Sequence, residues 1–221
     1  MEEKRLEKWI ELTERTLLEG VKLQSINHGE PIQVDVLPEG WELLGAGNYA
    51  GVFVHRDAQD IAVKVYAPGR EGWEAEREVY RRLGDHPAYS TCYHASKSNG
   101  LEYLMLRRLE GKTLYKCVLE GVIIEDRIIA EIDAALDYAR EQGLFPHDVH
   151  GKNVMVSSDD RGLVVDVSDF LKEEPCMMWD DLKKAYNRIY MPFLSKHSMP
   201  VPEWVMNGVR KGYRWVRSSS R

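Results

Sequence analysis

The chain is poor in cysteine. Cys92, Cys117 and Cys176 stand far apart among 221 residues. Their odd number and the lack of a CxxC spacing exclude a disulfide framework and a cysteine zinc site, so three reduced, mostly buried thiols are expected. No apolar run approaches the roughly 20 residues that a membrane-crossing helix needs. The N-terminus, MEEKRLEKWIEL, is too charged for a secretory signal. A basic excess is missing as well: 30 Lys and Arg face 36 Asp and Glu, a formal charge of −6. That balance argues against a general nucleic-acid binder. There is no internal repeat and no low-complexity tract beyond Ser218-Ser219-Ser220. These absences lead to the expectation of a cytoplasmic protein with no membrane span and no nucleic-acid partner. Its hydrophobic fraction of 43% is enough for one sizeable core or two small lobes.

What is present concentrates in Pro146 to Phe170, PHDVHGKNVMVSSDDRGLVVDVSDF. Asp148 is followed by Asn153 five residues on and by Asp166 thirteen residues later. Two short apolar runs, Val154-Met155-Val156 and Leu163-Val164-Val165, flank the polar segment Ser157 to Gly162, a hairpin pattern. Such a hairpin brings Asn153 and Asp166 together. An amide and a carboxylate are hard oxygen donors that suit Mg²⁺, which completes its shell with phosphate oxygens and water. Asp148, on the preceding loop, is left to act as a base. Phosphoryl transfer is the chemistry this set suggests.

The rest of the chain offers partners for that site. Residues 3 to 19 read as an amphipathic helix stopped by Gly20, and packing on its own domain is the expected role. Residues 21 to 40 read as strand or loop broken by Pro31 and Pro38. Trp41 to Tyr66 reads as three strands. Gly45, Gly47 and Gly51 sit at the tip of the first hairpin, where missing Cβ atoms let backbone N–H groups approach a phosphate. Many surface hairpins carry such glycines for turn geometry alone. In the third strand Ile61, Val63 and Val65 face one way and Ala62, Lys64 and Tyr66 the other. A lysine in a short apolar strand calls for a partner, and Glu78, in the helix expected over residues 71 to 84, is the candidate. Taken alone, Glu78 reads as one of several solvated helix charges. Residues 101 to 106 read as a strand, 107 to 114 as a connector and 123 to 142 as a long helix. Helices also fit residues 179 to 190 and 203 to 217. GKT at Gly111 is not a phosphate-binding loop, because Leu106 stands where that motif needs glycine. His147, Asp148 and His150 could form a transition-metal site, but three ligands on one loop make a weak set beside the Mg²⁺ reading. From Trp204 onward there is no acid and five basic residues, which suits a helix C-terminus or an acidic, lipid or RNA partner.

In order and spacing, these elements resemble the protein-kinase-like superfamily. GAGNYAGV resembles its Gly-rich loop, IAVK the strand ending in the phosphate-pairing lysine, and REVYRRLGDHP its helix C. LMLRRLEGKTL resembles the hinge. The resemblance covers about Trp41 to Tyr190 and implies an α+β, bilobal fold. Residues 1–40 would be a lead-in, 41–106 an antiparallel β N-lobe with helix C, 107–114 the hinge, and 115–221 a reduced, mostly helical C-lobe. It implies ATP between the lobes, with Gly45, Gly47 and Gly51 over the phosphates. Val52, Ala62 and Leu106, with the backbone of Arg107, Arg108 and Leu109, would surround the adenine. Lys64 paired with Glu78 would meet the α and β phosphates, Asn153 and Asp166 would hold Mg²⁺, and Asp148 would take the proton of an acceptor hydroxyl on a protein or a small molecule.

The departures are informative. Pro146-His147-Asp148 replaces HRD, and Asp166-Val167-Ser168 replaces DFG. No APE follows, and only 55 residues lie beyond Asp166, so a full peptide-docking region is expected to be missing. His150 stands where serine/threonine kinases usually carry lysine, as in lipopolysaccharide-core and aminoglycoside kinases. The expected function is an ATP- and Mg²⁺-dependent kinase, foremost a serine/threonine protein kinase of the small bacterial type. A small-molecule kinase and a pseudokinase scaffold are the alternatives.

Overall fold

The structure, a computed structural model, describes residues 3–27, 30–194 and 199–218. The end of the serine-rich tail (Ser219, Ser220) and the basic residue Arg221 lie outside them. The chain divides into two compact units, one of Met1–Leu109, Tyr138–Pro146 and Val167–Glu173, the other of Glu110–Asp137, His147–Asp166 and Glu174–Arg221.

The first unit begins with α1 (Glu3–Leu12), a π-helical turn (Thr13–Leu17) and α2 (Leu18–Gly20). A small antiparallel pair follows, β1 (Lys22–Gln24) with β2 (Gln33–Val36). Then come β3 (Trp41–Ala46), β4 (Ala50–His55), β5 (Ala58–Tyr66), α3 (Trp73–Leu83), β6 (Cys92–Ser98) and β7 (Leu101–Arg107). The five strands form one antiparallel sheet in the order β3-β4-β5-β7-β6. Strand alternation sorts its two faces. Phe53, Ile61, Val63, Val65, Tyr103 and Met105 form a core with Trp9, Leu17 and Leu18 of the N-terminal helix. Trp41 joins that core, and its indole N–H donates to Thr16 Oγ1 at 2.9 Å. Burying side chains of this size stabilises by about 1.5–3 kcal/mol each, so the N-terminal helix is an integral layer of the unit.

α3 presents Trp73, Glu76, Val79, Tyr80 and Leu83 as its buried stripe, an i, i+3, i+4, i+7 pattern. The Trp73 indole donates to the Tyr103 carbonyl at 3.0 Å, which fixes the helix to the sheet. Tyr138, in a later helix, donates its hydroxyl to Leu83 O at 2.9 Å and stacks on His86. Phe170, fully buried, meets Tyr89 edge-on, and its carbonyl accepts from Phe145 N–H at 2.8 Å.

The second unit contains β8 (Gly111–Thr113), α4 (Leu114–Glu120), α5 (Asp126–Glu141), β9 (Val154–Ser157) and β10 (Gly162–Val164), with α5 ending in the first unit. α6 (Met178–Ala185), a π-helical segment (Tyr186–Leu194) and α7 (Glu203–Ser218) follow. The strands make an antiparallel sheet in the order β10-β9-β8. β8 and α4 replace the connector expected over 107 to 114. Thr113 caps α4 by accepting from Lys116 N–H. Gly111 is required there, since a Cβ would stand 2.2 Å from the Val156 carbonyl oxygen. The Tyr186 hydroxyl donates to Ile124 O and the Ile124 amide donates to Tyr190 Oη, both at 2.8 Å, tying the π-helical segment to the start of α5. Of the three free thiols Cys117 is buried, while Cys92 and Cys176 are half-buried.

Candidate active site

In the first unit the site is built around Lys64. β5 carries it on the face opposite the N-terminal core. Its ammonium reaches both carboxylate oxygens of Glu76, each at 2.7 Å. Glu76 is completely buried, and the Tyr66 hydroxyl donates to the same carboxylate. An isolated buried carboxylate would be very costly; here two donors satisfy it, and the lysine end is fixed in direction.

The lysine partner is therefore Glu76 and not Glu78. The reason is helical phase. Glu76 lies three residues after Trp73 and seven before Leu83, inside the buried stripe, whereas Glu78 falls off it. Glu78 instead binds Arg81 at 2.6 Å and Arg82 at 2.8 Å, and these guanidinium groups lower its pKa to about 2. The signal was present in the sequence: an acid at an otherwise apolar stripe position needs a partner, and an acid on the polar face does not.

The three tip glycines separate. A Cβ at Gly45 or Gly47 would meet nothing within 4 Å, so the free protein has no packing need for glycine there. A Cβ at Gly51 would come within 2.9 Å of the Phe53 ring. Gly51 and Phe53 share a face of β4 at i, i+2, so core packing by itself requires glycine at Gly51. Val52 lies on the other face and pairs with Lys64, while Ala62 pairs with both Val54 and Leu106. Val52, Ala62, Lys64 and Leu106 thus form one continuous surface. The hinge backbone is partly engaged. Arg107 N–H donates to Thr91 O at 2.8 Å and Arg108 N–H to Asp60 O at 2.9 Å, because pairing to β5 and β6 continues through Arg107. Those two amides cannot also serve a base, which leaves Leu109 as the remaining hinge amide. The two arginine side chains tie down neighbouring carbonyls, Arg107 those of His86 and Tyr89, Arg108 that of Gln59.

In the second unit the hairpin forms as its pattern requires. Val154 pairs with Val164, and Val165 N–H donates to the Asn153 carbonyl at 2.9 Å. Asn153 thus stands across from Val165, directly beside Asp166. The loop before it is folded on itself. Asn153 Nδ2 donates to the Asp148 carbonyl at 3.0 Å, and Asn153 N–H to His150 O at 2.8 Å. Asp148 adopts a left-handed backbone with φ of +55°, an arrangement that costs about 1 kcal/mol or more outside glycine. The Tyr115 amide at the start of α4 donates to Gly151 O at 2.7 Å and anchors the loop from behind. The hairpin is anchored by Glu131 of α5, which accepts from Gly162 N–H at 2.8 Å and Arg161 Nε at 3.1 Å. The Gly162 amide, followed by Arg161, holds this carboxyl below its ordinary range.

The donor chemistry fits Mg²⁺. With Nδ2 of Asn153 bonded to the loop, its Oδ1 is the acceptor end, and Asp166 adds a carboxylate next to it. Two hard oxygen donors leave the remaining positions to phosphate oxygens and water. His150 Nε2 lies 3.9 Å from Asp148 Oδ2, a loose ion-pair distance. Among the described residues no three His, Cys, Asp or Glu side chains converge as a metal cluster.

No family model matches the chain. Curated relatives do. The chain is 31% identical over 150 residues to "Putative serine/threonine-protein kinase YrzF" of Bacillus subtilis, covering 67% of this chain and 68% of that protein. The chain belongs to the protein-kinase-like superfamily. Two further kinase relatives are "Serine/threonine-protein kinase PknB" of Mycolicibacterium smegmatis, 30% identical over 57% of this chain and 23% of its own length, and "Sperm motility kinase 2A" of Mus musculus, 28% identical over 61% of this chain and 29% of its own. The chain thus spans about two thirds of the Bacillus kinase relative and under a third of these two. Among solved structures, the PknI kinase domain of Mycobacterium tuberculosis aligns with a TM-score of 0.45 at 23% identity, over 59% of this chain and 60% of that one.

Proposed function

We propose that this kinase transfers the γ-phosphoryl group of ATP, with Mg²⁺, to a hydroxyl, and that the hydroxyl belongs to a serine or threonine of a protein. The observation that carries the reading is the buried Lys64–Glu76 pair, a lysine held by two carboxylate oxygens on the same sheet surface as Val52, Ala62 and Leu106. Lys64 meets the α and β phosphates. Gly45 and Gly47 let the tip backbone close on the phosphate chain, and Ala62, Val52 and Leu106 contact the adenine together with the Leu109 amide. Asn153 and Asp166 hold Mg²⁺, which when bound offsets phosphate charge. Asp148 accepts the proton of the attacking hydroxyl as the new O–P bond forms and the β–γ bridging O–P bond breaks, leaving ADP. Positioning and charge stabilisation supply most of the acceleration in such a site.

A small-molecule hydroxyl is the second reading. It is favoured by His150 beside Asp148, an imidazole where a lysine would serve a peptide substrate. Transfer of ³²P from γ-labelled ATP into protein and small-molecule fractions of a cell extract tests both. Label in protein, lost in Asp148→Asn, supports the first reading; label confined to small molecules replaces it with the second; no Mg²⁺-dependent transfer to either sinks both.

A further inference from the structure

α7 is an amphipathic helix of a particular kind. At 100° per residue, Trp204, Val205, Met206, Val209, Trp215 and Val216 occupy positions on one broad face. By the same period Arg210, Lys211, Arg214 and Arg217 take sequence positions on the other side. From Trp204 to Arg221 there are five basic residues and no acid, a charge of +5; the remaining 25 basic and 36 acidic residues make the rest of the chain −11. Part of the apolar face is uncovered: Trp204 is 76% and Val209 60% exposed, while Val205 and Met206 are half-buried. Among the described residues no other helix or strand packs extensively on α7. The segment ahead of it is tethered by Val201 N–H, which donates to Val118 O of α4 at 3.1 Å.

We propose that α7 docks this protein on an anionic lipid surface, lying in the plane of the interface with its apolar face toward the acyl chains. Charge complementarity selects the occupant. A segment of +5 on a chain otherwise −11 is drawn to negative charge, and the anionic leaflet of a bilayer supplies it. RNA would engage the basic positions and leave Trp204 and Val209 in water. A lipid interface satisfies both faces at once: the valines and tryptophans enter the headgroup boundary, and long cationic side chains reach back to the headgroups. Tryptophan near the edge of the apolar sector suits that boundary. The proposal is independent of the phosphotransfer chemistry, since α7 carries none of the residues assigned to it.

Co-sedimentation of the full chain with large unilamellar vesicles tests it. Binding to vesicles containing phosphatidylglycerol should be at least about tenfold tighter than to pure phosphatidylcholine vesicles. Arg210→Glu with Arg214→Glu should weaken it by on the order of fivefold or more per charge. Val209→Asp should abolish it while circular dichroism and autophosphorylation stay unchanged. Equal binding to both vesicle types, no binding to anionic vesicles, or binding indifferent to Val209→Asp would overturn the proposal. Two outcomes would replace it: a dimer in light scattering that Val209→Asp dissolves, or tight binding of a labelled RNA, each without vesicle binding.

Discussion

The two groups of candidate residues, one in each unit, are held by opposite means. Around Lys64 the polar groups are dry: Glu76 is fully buried, and its carboxylate is satisfied by a lysine and a tyrosine. Around Asp148 the polar groups are only half-buried, and hydrogen bonds to backbone groups position them, from Val165 to Asn153, from Asn153 to Asp148 and from Gly162 to Glu131. The lesson concerns which kind of mutation each half tolerates. Removing a buried ionic partner leaves an uncompensated group and is felt by the fold. Removing a half-buried carboxylate beside the hairpin is felt by the chemistry.

The sharpest separation comes from Asp166→Ala. Mg²⁺-dependent transfer from labelled ATP should fall by about 10³-fold or more, with an unchanged thermal melt; intact turnover would remove Asp166 from the site. Glu76→Ala should do the converse first, costing about 3–5 kcal/mol in urea unfolding, with activity falling as Lys64 loses its direction. A smaller effect is expected within the glycine tip. Gly51→Ala should cost about 1–3 kcal/mol through the clash with Phe53, while Gly45→Ala should leave the melt in place and raise the KM for ATP. If Gly45→Ala destabilises as much as Gly51→Ala, the division of the tip into packing and binding glycines fails.

The anchor of the hairpin is tested by pH. Glu131 has a depressed pKa in the folded protein, so its contribution is present above its unfolded value near 4.5 and is lost as pH falls through the lower folded value. Glu131→Gln should therefore cost about 1 kcal/mol at neutral pH, allowing for solvent screening, and progressively less as the pH falls below about 4.5. A pH-independent difference would contradict the charge-assisted anchor. The smallest effect belongs to Glu78→Gln, whose partners Arg81 and Arg82 sit with it on the solvated face of α3; turnover should be unchanged.

The hairpin group was legible because its logic is local. Asn153, the hairpin and Asp166 lie within fourteen residues, so spacing and alternation bring them together without help from distant chain. The face of β5 carrying Lys64 was legible for the same reason. Helix positions came from periodicity, although β6, β8 and α4 did not, being short, mixed in composition and defined by partners elsewhere, as β8 is by β9. The letters of the motif point to Glu78, whereas the phase of the helical stripe points to Glu76.

By itself the sequence determined the family, the antiparallel sheet with its two-faced β5, and the residue types able to hold phosphate and metal. Short-range rules suffice for these: side-chain alternation, helical period and the chemistry of oxygen donors. Only the tertiary structure decided which glutamate answers Lys64, that Gly51 makes room for Phe53, and that the Arg107 and Arg108 amides are engaged within the sheet. Each of these depends on what a side chain or amide meets from another element. A buried charge selects its partner by the cost of leaving it alone, and that cost exists only once the core has closed around it.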